Sequence, residues 1–408
     1  MTYSESVRYL YSLGNEIHTA KLGLERIAPL LKALGNPERA SRYVHVAGTN
    51  GKGSTSAMIE SGLRAAGLKT GLYTSPHLFE PTERIRIAGE PITRDEFAAA
   101  FNAVHETVER MLRSGELDLP LPYFENLTAM AFLTFREAGV EGAVLEVGMG
   151  GRLDATNVVQ PDLCVITPID LDHQSFLGET VAKIAVEKAG ILKPGVPAVF
   201  AHQHPEAEAV LRERAQGPYT FADEWPVKDL ELDARGSRFR IRNLRVVCPL
   251  AGEHQVENGR TAAIALHQLG FPPDGIAFTR WPGRLECISE HPEIILDGAH
   301  NPAGTRALVE YIRRFYAGRN LWIVYGVMRD KSLTETVSSL FPLASRIILT
   351  MPANSRAMPP ESIPAAGAVI THSVGEALEQ LCGVGPDDVV FITGSLFVVG
   401  EARALLVQ

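Results

Sequence analysis

The segment from Val44 to Thr55 constrains the fold more than any other part of the chain. Its sequence, VHVAGTNGKGST, begins as an apolar strand, continues through a glycine-rich turn with one lysine, Lys52, and ends in hydroxyl residues. Glycines let backbone N–H groups converge on an anion, a lysine adds positive charge, and a hydroxyl after the turn can bind Mg²⁺. Apolar residues at helical spacing follow the turn and predict a helix. These features together indicate a phosphate-binding loop for a nucleoside triphosphate.

The loop departs from the common nucleotide-binding pattern in two ways. That pattern, G-x-x-x-x-G-K-[ST], has a longer spacer before Gly-Lys and a hydroxyl residue directly after the lysine. Here only Thr49 and Asn50 separate the first two glycines, and Gly53 lies between Lys52 and Ser54. A plain strand-to-helix turn is therefore an alternative, but the flanking strand and helix patterns favour phosphate binding.

Composition and length exclude several classes of protein. With 408 residues the chain exceeds one ordinary hydrophobic core, which predicts two domains. A net charge of −9 without an extended Lys/Arg run argues against binding to nucleic acid. The four cysteines lie far apart, which disfavours a zinc site or a redox motif and fits a reducing compartment. The N-terminus lacks the apolar core of a signal peptide and no stretch is long enough to span a membrane, so we expect a cytoplasmic protein, and a monomer.

The order of predicted elements indicates an α/β fold. Strand-like and helix-like segments alternate through most of the chain, which predicts a mostly parallel sheet with helices on its faces. Predicted strands end before Gly48, before the glycine-rich residues 148–151, and before the polar cluster Asp170, Asp172 and His173. Because ligands of open α/β sheets bind beyond the carboxyl ends of strands, these ends point to one cleft.

Local signals define further elements and a domain boundary. Thr93 and Glu96 have the spacing of a capping box before a helix over 97–112. Residues 235–245 alternate as an antiparallel hairpin would, and residues 270–275 resemble an exposed linker after which the β/α alternation restarts. We therefore predict a first domain over 1–277 and a smaller second domain over 283–408.

Seven motifs taken together carry a family resemblance. They are Gly48–Ser54 (GTNGKGS), Thr74–Leu78 (TSPHL), Leu145–Asn157 (LEVGMGGRLDATN), Asp172–His173, Glu187–Gly190 (EKAG), Trp281–Arg284 (WPGR) and Asp297–Pro302 (DGAHNP). In this order and spacing they resemble the folylpolyglutamate synthase family, including its bacterial bifunctional members that are also dihydrofolate synthases, among the Mur-ligase-like ATP-dependent amide ligases. The resemblance extends almost to the C-terminus, at Phe391–Leu396.

The resemblance implies both an architecture and a reaction. The architecture is an N-terminal P-loop ATPase-like domain that binds ATP and folate, followed by a smaller C-terminal Rossmann-like domain, the glutamate-ligase domain. In the implied reaction ATP phosphorylates a carboxylate, and the amine of L-glutamate attacks the resulting acyl phosphate. The implied acceptor is a folate, with dihydropteroate as a further candidate.

The resemblance also implies two Mg²⁺ ions, held by Ser54, Ser75, Glu146 and His173. Oxygen ligands with an occasional imidazole suit this ion. Glu146 stands alone in an apolar run that ends in glycines, which by itself favours a carboxylate pointing into a cleft. Ser75 alone would be a turn former before proline and His173 a structural histidine, and only the resemblance makes them metal ligands.

Nucleotide-binding residues follow from the same resemblance. They are Gly48, Thr49, Asn50, Gly51, Lys52, Gly53, Ser54, Asn258, Arg284, Asp297 and His300. Asp297 alone would be an ordinary acid near a helix N-terminus, and Lys188 alone would be an exposed lysine on a helix. The resemblance implies instead that Lys188 carries a carbamate near the metals. Lys52, Lys188 and His300 are the catalytic candidates.

Two segments match those that line the pterin and aminobenzoate pocket of bifunctional members. They comprise Tyr123, Phe124, Glu125, Leu153, Asp154 and Ala155. A flat heteroaromatic ring suits an aromatic face and a carboxylate that accepts its N–H groups. Phe124 by itself would be only a hydrophobic residue at a helix start.

Two other functions are compatible with a phosphate-binding loop. A Mur-type ligase acting on a peptidoglycan precursor would need a nucleotide-sugar domain before the loop, yet the loop begins by residue 48. A regulatory nucleotide-binding switch would bind ATP without glutamate-dependent release of ADP.

Overall fold

The structure, a computed structural model, describes residues 1–14 and 23–407. Within this part of the chain the helices are α1 (Tyr3–Ser12), α2 (Ile27–Ala33), α3 (Lys52–Ala65), α4 (Arg94–Ser114), α5 (Tyr123–Ala138), α6 (Gln174–Leu177), α7 (Val181–Ala189), α8 (Pro205–Arg214), α9 (Glu253–Gln268), α10 (Pro302–Phe315), α11 (Val374–Glu379) and α12 (Leu396–Leu406). None of these described helices is both long and apolar enough to cross a membrane.

The strands are distributed along the whole described chain. They are β1 (Arg42–Ala47), β2 (Thr70–Tyr73), β3 (Ile85–Ile87), β4 (Glu90–Pro91), β5 (Gly142–Glu146), β6 (Leu163–Ile166), β7 (Ala198–Phe200), β8 (Tyr219–Phe221), β9 (Val227–Leu232), β10 (Ser237–Ile241), β11 (Leu244–Cys248), β12 (Glu286–Glu290), β13 (Glu293–Leu296), β14 (Leu321–Tyr325), β15 (Arg346–Leu349), β16 (Val369–Ile370) and β17 (Val389–Thr393).

The described residues divide into two compact units. Unit 1 comprises Met1–Val227, Arg240–Val246 and Glu257–Phe278. Unit 2 comprises Lys228–Phe239, Val247–Val256 and Thr279–Gln408. The division is therefore not a single cut, because two short segments before residue 257 group with the C-terminal part of the chain.

Unit 1 is built on a sheet with the strand order β4-β3-β2-β5-β1-β6-β7-β8. All neighbours from β2 to β8 pair in parallel, and only β3 and β4 are antiparallel at one edge. The central strand β5 is buried along its whole length, as expected where helices cover both faces of a parallel sheet. Parallel pairing places the carboxyl ends of β2, β5, β1 and β6 along one edge of the sheet.

Unit 2 contains a second sheet with the order β12-β13-β17-β14-β15-β16, in which only β12 is antiparallel to its neighbour. Its core is formed by apolar residues of β13, β14 and β17 with α10, including Ile295, Leu308, Ile323 and Phe391. The predicted α/β class, with a large mostly parallel sheet and a second sheet in the C-terminal part, is confirmed.

Several local predictions are confirmed by the contacts. Thr93 and Glu96 form the capping box of α4, since the Thr93 amide donates to Glu96 Oε2 at 2.7 Å and the Glu96 amide donates to Thr93 Oγ1 at 3.2 Å. Strands β10 and β11 are neighbours in a three-stranded sheet of order β11-β10-β9, and β11 extends beyond the predicted hairpin at 235–245 to Cys248.

The exposed linker predicted over residues 270–275 is wrong for its second half. Pro273 and Gly275 are buried in a 3₁₀ turn, Pro273–Phe278. The Gly275 carbonyl accepts a hydrogen bond from Ser61 Oγ on α3 at 2.7 Å, and a Cβ at Gly275 would lie 2.7 Å from the Gly62 Cα. The glycine is thus required for close packing on α3 rather than for a flexible connection.

Candidate functional site

The loop between β1 and α3 needs its first two glycines for steric reasons. Gly48 has φ +150°, and a Cβ there would lie 1.8 Å from Thr167 Oγ1. Gly51 has φ +82°, and a Cβ there would lie 2.3 Å from the side-chain oxygen of Asn258. Asn258, which sequence reasoning assigned to the nucleotide, therefore lies against the loop.

The N-terminus of α3 has no side-chain cap. Gly51 is the N-cap residue and offers no side-chain acceptor, while α3 runs for 14 residues from Lys52. The first amides of a helix lack intrahelical acceptors and carry partial positive charge from the helix dipole. Such an end binds an anion.

Backbone contacts with the exit of β6 fix the shape of the loop. The amides of Thr49 and Asn50 both donate to the Pro168 carbonyl, at 2.9 and 3.2 Å. Thr49 Oγ1 donates to the Asp170 carbonyl at 3.0 Å and accepts from the Asp170 amide at 3.1 Å. These two loop amides are thus engaged within the protein.

Gln203 stabilises the backbone after β6 through hydrogen bonds that the sequence did not predict. Its buried side chain accepts from the Ile169 amide at 3.1 Å and donates to the Thr167 carbonyl at 3.2 Å. Both bonded groups flank Pro168. A lone glutamine after a strand carries no sequence signal for this contact, since its partners lie more than thirty positions earlier.

Lys188 lies beside the phosphate loop instead of in solvent. Its side chain is 5 % exposed, and its Nζ donates to the Gly48 carbonyl at 2.7 Å. Burial, with a further contribution from the Lys52 charge, lowers the pKa of Lys188 to about 7. Lys52 Nζ donates to the Thr49 carbonyl at 3.2 Å. The loop therefore has two lysines next to it, one of them an amine with strongly altered basicity.

Glu146 and Ser75 come together at the ends of neighbouring strands. Glu146 is the last residue of β5 and only 4 % exposed. Its Oε2 accepts a hydrogen bond from the Ser75 amide at 3.1 Å, just beyond β2. The backbone at Ser75, which is itself a predicted metal ligand, thus positions the carboxylate of Glu146.

His173 and Ser54 occupy defined but different positions. His173 has φ +50°, a left-handed conformation uncommon for non-glycine residues, and its amide donates to Asp172 Oδ1 at 2.9 Å. Ser54 is buried in the first turn of α3.

The donor types fit magnesium. Among the described residues no group of three His, Cys, Asp or Glu side chains forms a metal cluster. Mg²⁺ does not need one, because it keeps several waters and phosphate oxygens and takes only one or two carboxylates from the protein. A single buried carboxylate, Glu146, with the hydroxyls of Ser54 and Ser75 and the imidazole of His173, is compatible with that mode of binding.

Many of these residues line one cavity within unit 1, called here the phosphate-loop cavity. Its lining consists of Gly48, Thr49, Lys52, Val147, Gly148, Met149, Gly150, Asp172, His173, Leu177 and Lys188. The exits of β1, β5 and β6 all contribute to this lining. The convergence of strand ends that the sequence predicted is therefore present in the structure.

The predicted pterin-binding segments lie next to this cavity with most of their polar groups engaged. Phe124 contacts the turn after Glu146, where a Cβ at Gly148 would lie 2.5 Å from the Phe124 ring. Tyr123 is buried and stacks on Tyr11 at 5.6 Å, and Glu125 pairs with Arg26 at 2.6 Å. Burial raises the pKa of Glu125, although the arginine opposes this.

The second of these segments centres on a buried acid. Asp154 is 2 % exposed and accepts hydrogen bonds from the amides of Gly148, Met149 and Thr156, each at 3.0 Å. Its flanking residues Leu153 and Ala155 are half-buried and buried. Asp154 therefore shapes the glycine-rich turn, and a contact of this segment with substrate stays a prediction.

The predicted residues of unit 2 cluster at the exit of β13. Asp297 accepts from the amides of Leu285 and Ala299, each at 3.0 Å. Burial raises the pKa of Asp297, while the Arg284 charge opposes the shift. His300 Nδ1 donates to the Gly298 carbonyl at 2.7 Å. Arg284, Asp297 and His300 thus lie in one part of unit 2.

Comparisons with known proteins agree with this arrangement. Residues 46–266 match the family model of the Mur ligase middle domain, and residues 283–396 match that of the Mur ligase glutamate ligase domain. The chain is 36% identical over 430 residues to the folylpolyglutamate synthase of Lacticaseibacillus casei, covering 100% of this chain and 99% of that one. It is 36% identical over 411 residues to the dihydrofolate synthase/folylpolyglutamate synthase of Bacillus subtilis, covering 95% of each.

A solved structure extends the similarity to the whole fold. An FPGS–AMPPCP–folate complex superimposes with a TM-score of 0.87 at 35% sequence identity, covering 100% of both chains. Matches of this extent, together with the motifs and the strand-end cavity, establish membership. The chain belongs to the folylpolyglutamate synthase and dihydrofolate synthase family of Mur ligases.

Proposed function

We propose that this protein is an ATP-dependent ligase that forms an amide between a carboxylate of a folate and the amine of L-glutamate. The observation that carries the proposal is the uncapped N-terminus of α3, which begins with Lys52 and lies beside the buried Lys188. A helix end with adjacent cations is suited to the phosphates of ATP. The full-length similarity to a folylpolyglutamate synthase, and to a complex with an ATP analogue and folate, supports the choice of substrates.

The proposed reaction has two steps. A carboxylate oxygen of the folate attacks the γ-phosphorus of ATP, the bond to the ADP oxygen breaks, and an acyl phosphate forms. The amine nitrogen of L-glutamate then attacks the acyl carbon, loses a proton, and phosphate leaves. Lys52 and the first amides of α3 stabilise the charge on the transferring phosphoryl group.

Ser54, Ser75, Glu146 and His173 would hold two magnesium ions at this site. Bound magnesium supplies electrostatic neutralisation of the phosphate oxygens. The surrounding backbone holds the donor side chains in position. Glu146 is held by the Ser75 amide, and Ser54 lies in the first turn of α3.

Lys188 has the properties of a residue that can be carbamylated. A pKa of about 7 leaves a substantial neutral fraction at neutral pH, and the neutral amine is the form that reacts with CO₂. In that reaction an N–C bond forms and the amine releases a proton. We propose this modification, and ¹³C NMR with ¹³CO₂ tests it: a carbamate signal that Lys188→Ala abolishes supports it, and an identical spectrum for the variant rules it out.

The remaining assignments concern nucleotide and pterin. We propose that Asn258, Arg284, Asp297 and His300 take part in nucleotide binding, supported by the position of Asn258 against Gly51 and by the cluster in unit 2. For the pterin we propose the segments 123–125 and 153–155. Phe124 has the strongest support because it contacts a wall residue of the phosphate-loop cavity.

One experiment separates the candidate activities. Labelled L-glutamate is supplied with ATP and, in parallel, tetrahydrofolate, dihydropteroate or a muramyl precursor, and both incorporation and ADP are measured. We expect glutamate- and folate-dependent ADP release with tetrahydrofolate. Dihydropteroate is a second candidate substrate because the Bacillus subtilis relative is also a dihydrofolate synthase. Incorporation only into the muramyl precursor, or ATP binding without ADP release, would contradict the proposal.

We also propose that the protein acts as a monomer in the cytoplasm. The described cysteines, Cys164, Cys248, Cys287 and Cys382, are all free thiols, as is usual in a reducing compartment. Light scattering in solution tests the monomer: the mass of one chain supports it, and the mass of two chains contradicts it.

A further inference from the structure

Three buried side chains form a continuous line of hydrogen bonds beneath the turn that follows Glu146. His45, on β1, is fully buried, and its Nε2 lies 2.8 Å from Thr156 Oγ1. Thr156 Oγ1 donates to Asp154 Oδ1 at 2.5 Å. Asp154 Oδ2 accepts the amides of Gly148 and Met149, each at 3.0 Å. The line thus connects the strand that leads into the phosphate loop with the turn after β5.

Burial raises the pKa of Asp154, while the hydrogen bonds that it accepts from Thr156 and from the two amides of the turn oppose the shift. For the ionised carboxylate, which these donors stabilise, the direction of each hydrogen bond in this line is fixed. A hydroxyl has a single hydrogen, and Thr156 gives it to the Asp154 carboxylate, so Thr156 must accept from His45. The hydrogen of the neutral His45 imidazole is therefore on Nε2. Burial, and to a lesser extent Lys193, lowers the pKa of His45 to about 3, which keeps the ring neutral.

The carboxylate of Asp154 depends on these donors. Each of its oxygens accepts two hydrogen bonds, because Oδ1 also accepts the Thr156 amide at 3.0 Å. A buried carboxylate is stable only when its acceptor positions are satisfied, so the loss of one donor destabilises it. Without the imidazole, the Thr156 hydroxyl would lack the donor that fixes its own orientation.

The turn that this line holds is part of the phosphate-loop cavity. Gly148, Met149 and Gly150 form one wall of it, and Lys52 and Lys188 lie in the same lining. A shift of the turn therefore changes the cavity that Lys52 and Lys188 also line.

We propose that His45 is a positioning residue, which acts through Thr156 and Asp154 to hold the Gly148–Met149 turn at the distance from Lys52 that nucleotide binding requires. The inference rests on the proposed binding of ATP at this loop. It assigns a function to a histidine that strand patterning alone would leave in the core.

The test uses four variants of the full chain and measures the affinity for AMPPCP by calorimetry. His45→Leu removes the donor, His45→Gln keeps an N–H at about the reach of Nε2, Thr156→Val removes the hydroxyl, and the fourth variant combines His45→Leu with Thr156→Val. We expect His45→Leu and Thr156→Val each to weaken AMPPCP binding about tenfold or more. We expect His45→Gln to restore affinity to within about threefold, and the double variant to be no worse than either single variant, because both changes interrupt one line.

A matched control separates positioning from general loss of stability. Thr371 in unit 2 is also buried, and its Oγ1 donates to the Leu349 carbonyl at 3.0 Å. Thr371→Val should lower the unfolding temperature as Thr156→Val does, without changing AMPPCP affinity. If His45→Leu does not fold, the test depends on comparing the AMPPCP affinity of Thr156→Val with that of Thr371→Val.

Several results would overturn the proposal. They are wild-type affinity in both single variants, His45→Gln as weak as His45→Leu at equal stability, and additive effects in the double variant. Because AMPPCP binding needs no turnover, failure of the ligase activity is distinguishable from failure of this inference. A wild-type protein that binds AMPPCP but incorporates no glutamate would contradict only the proposed function.

Discussion

The two units each contain a strand that ends in buried residues and is followed by a polar turn and a 14-residue helix, but the helix starts differ. In unit 1 the turn 48–51 leads from β1 into α3, whose N-cap, Gly51, supplies no side-chain acceptor. In unit 2 the turn 297–301 leads from β13 into α10. There Asn301 Oδ1 accepts the Gly304 amide at 2.8 Å, and Pro302, which has no N–H, occupies the first helical position.

The charges at these two turns also differ. Lys52 and Lys188 lie at the turn of unit 1, whereas the turn of unit 2 combines a buried carboxylate, Asp297, with the guanidinium of Arg284. The same strand–turn–helix topology thus gives an end open to an anion in one unit and an internally satisfied end in the other. The residues at the cap, and not the topology, determine whether the first amides of the helix have a side-chain acceptor.

The largest effect is expected from removing the charge at the open end. Lys52→Ala should lower kcat/KM for ATP at least about 100-fold, because one preorganised contact to a transferring phosphoryl group is worth about 3 kcal/mol. Lys69→Ala, at an exposed lysine, is the matched control. Steady-state kinetics measure kcat/KM for both variants. Near-normal activity of Lys52→Ala would mean that the turn of unit 1 does not depend on its lysine to bind phosphate.

The next effect concerns the acid at the neighbouring strand exit of unit 1. Glu146→Gln should raise the Mg²⁺ concentration for half-maximal AMPPCP binding about tenfold or more, since a neutral amide is a poorer ligand for a hard cation. Calorimetric titration at several magnesium concentrations measures this midpoint. Glu106→Gln, on the exposed side of α4, should leave it unchanged. Equal midpoints for Glu146→Gln and the wild type would make Glu146 a structural residue.

The buried lysine gives a pH-dependent effect. The folded-state pKa of Lys188 is about 7, well below its unfolded value, so above pH 7 the folded chain binds one proton fewer than the unfolded chain. The free energy of unfolding of the wild type, relative to Lys188→Met, should therefore rise by up to about 1.4 kcal/mol per pH unit above about pH 7, and level off below it.

Urea unfolding in CO₂-free buffers at three pH values between about 6 and 9 measures this slope. Lys69→Met, at an exposed site, should show no such dependence. A difference between wild type and Lys188→Met that does not change with pH would mean that Lys188 is solvated in the folded protein.

The smallest effect is expected from removing the side-chain cap of α10. Asn301→Ala should lower the free energy of unfolding by about 1 kcal/mol, the usual value of an N-cap. Ser373→Ala, which removes the side-chain cap of α11, should have an effect of similar size. Thermal unfolding measures both. An unchanged stability of Asn301→Ala would show that its side chain does not satisfy α10, and the contrast with α3 would fail.

Much of this arrangement was predictable because its signals are local. About a dozen consecutive residues are enough to predict the strand, turn and helix start around Lys52. Four consecutive residues are enough to predict the capping box of Thr93 and Glu96. The convergence of strand ends followed from the parallel order of the sheet. These features depend on hydrophobic period, on cap chemistry and on topology, which a sequence expresses over short distances.

Other features were not predictable because their partners are distant in sequence. His45 and Thr156 are 111 positions apart, and Lys188 meets Gly48 across 140 positions. From the residues alone Lys188 would be exposed, and only the family resemblance reversed that. The segment around Gly275 was misinterpreted because glycine and proline indicate a turn equally well when the turn is exposed and when it packs against a helix, as it does here on α3.

The central claim is that ATP phosphorylates the folate carboxylate before L-glutamate attacks it. The most direct test follows one oxygen atom of that carboxylate. Tetrahydrofolate carrying ¹⁸O in its terminal carboxylate is incubated with the protein, ATP, Mg²⁺ and L-glutamate, and the released phosphate is analysed by ³¹P NMR. The account predicts that each phosphate carries one oxygen from the carboxylate, because that oxygen attacks the γ-phosphorus and stays with phosphate when the amide forms. Glutamate incorporation with unlabelled phosphate would contradict it.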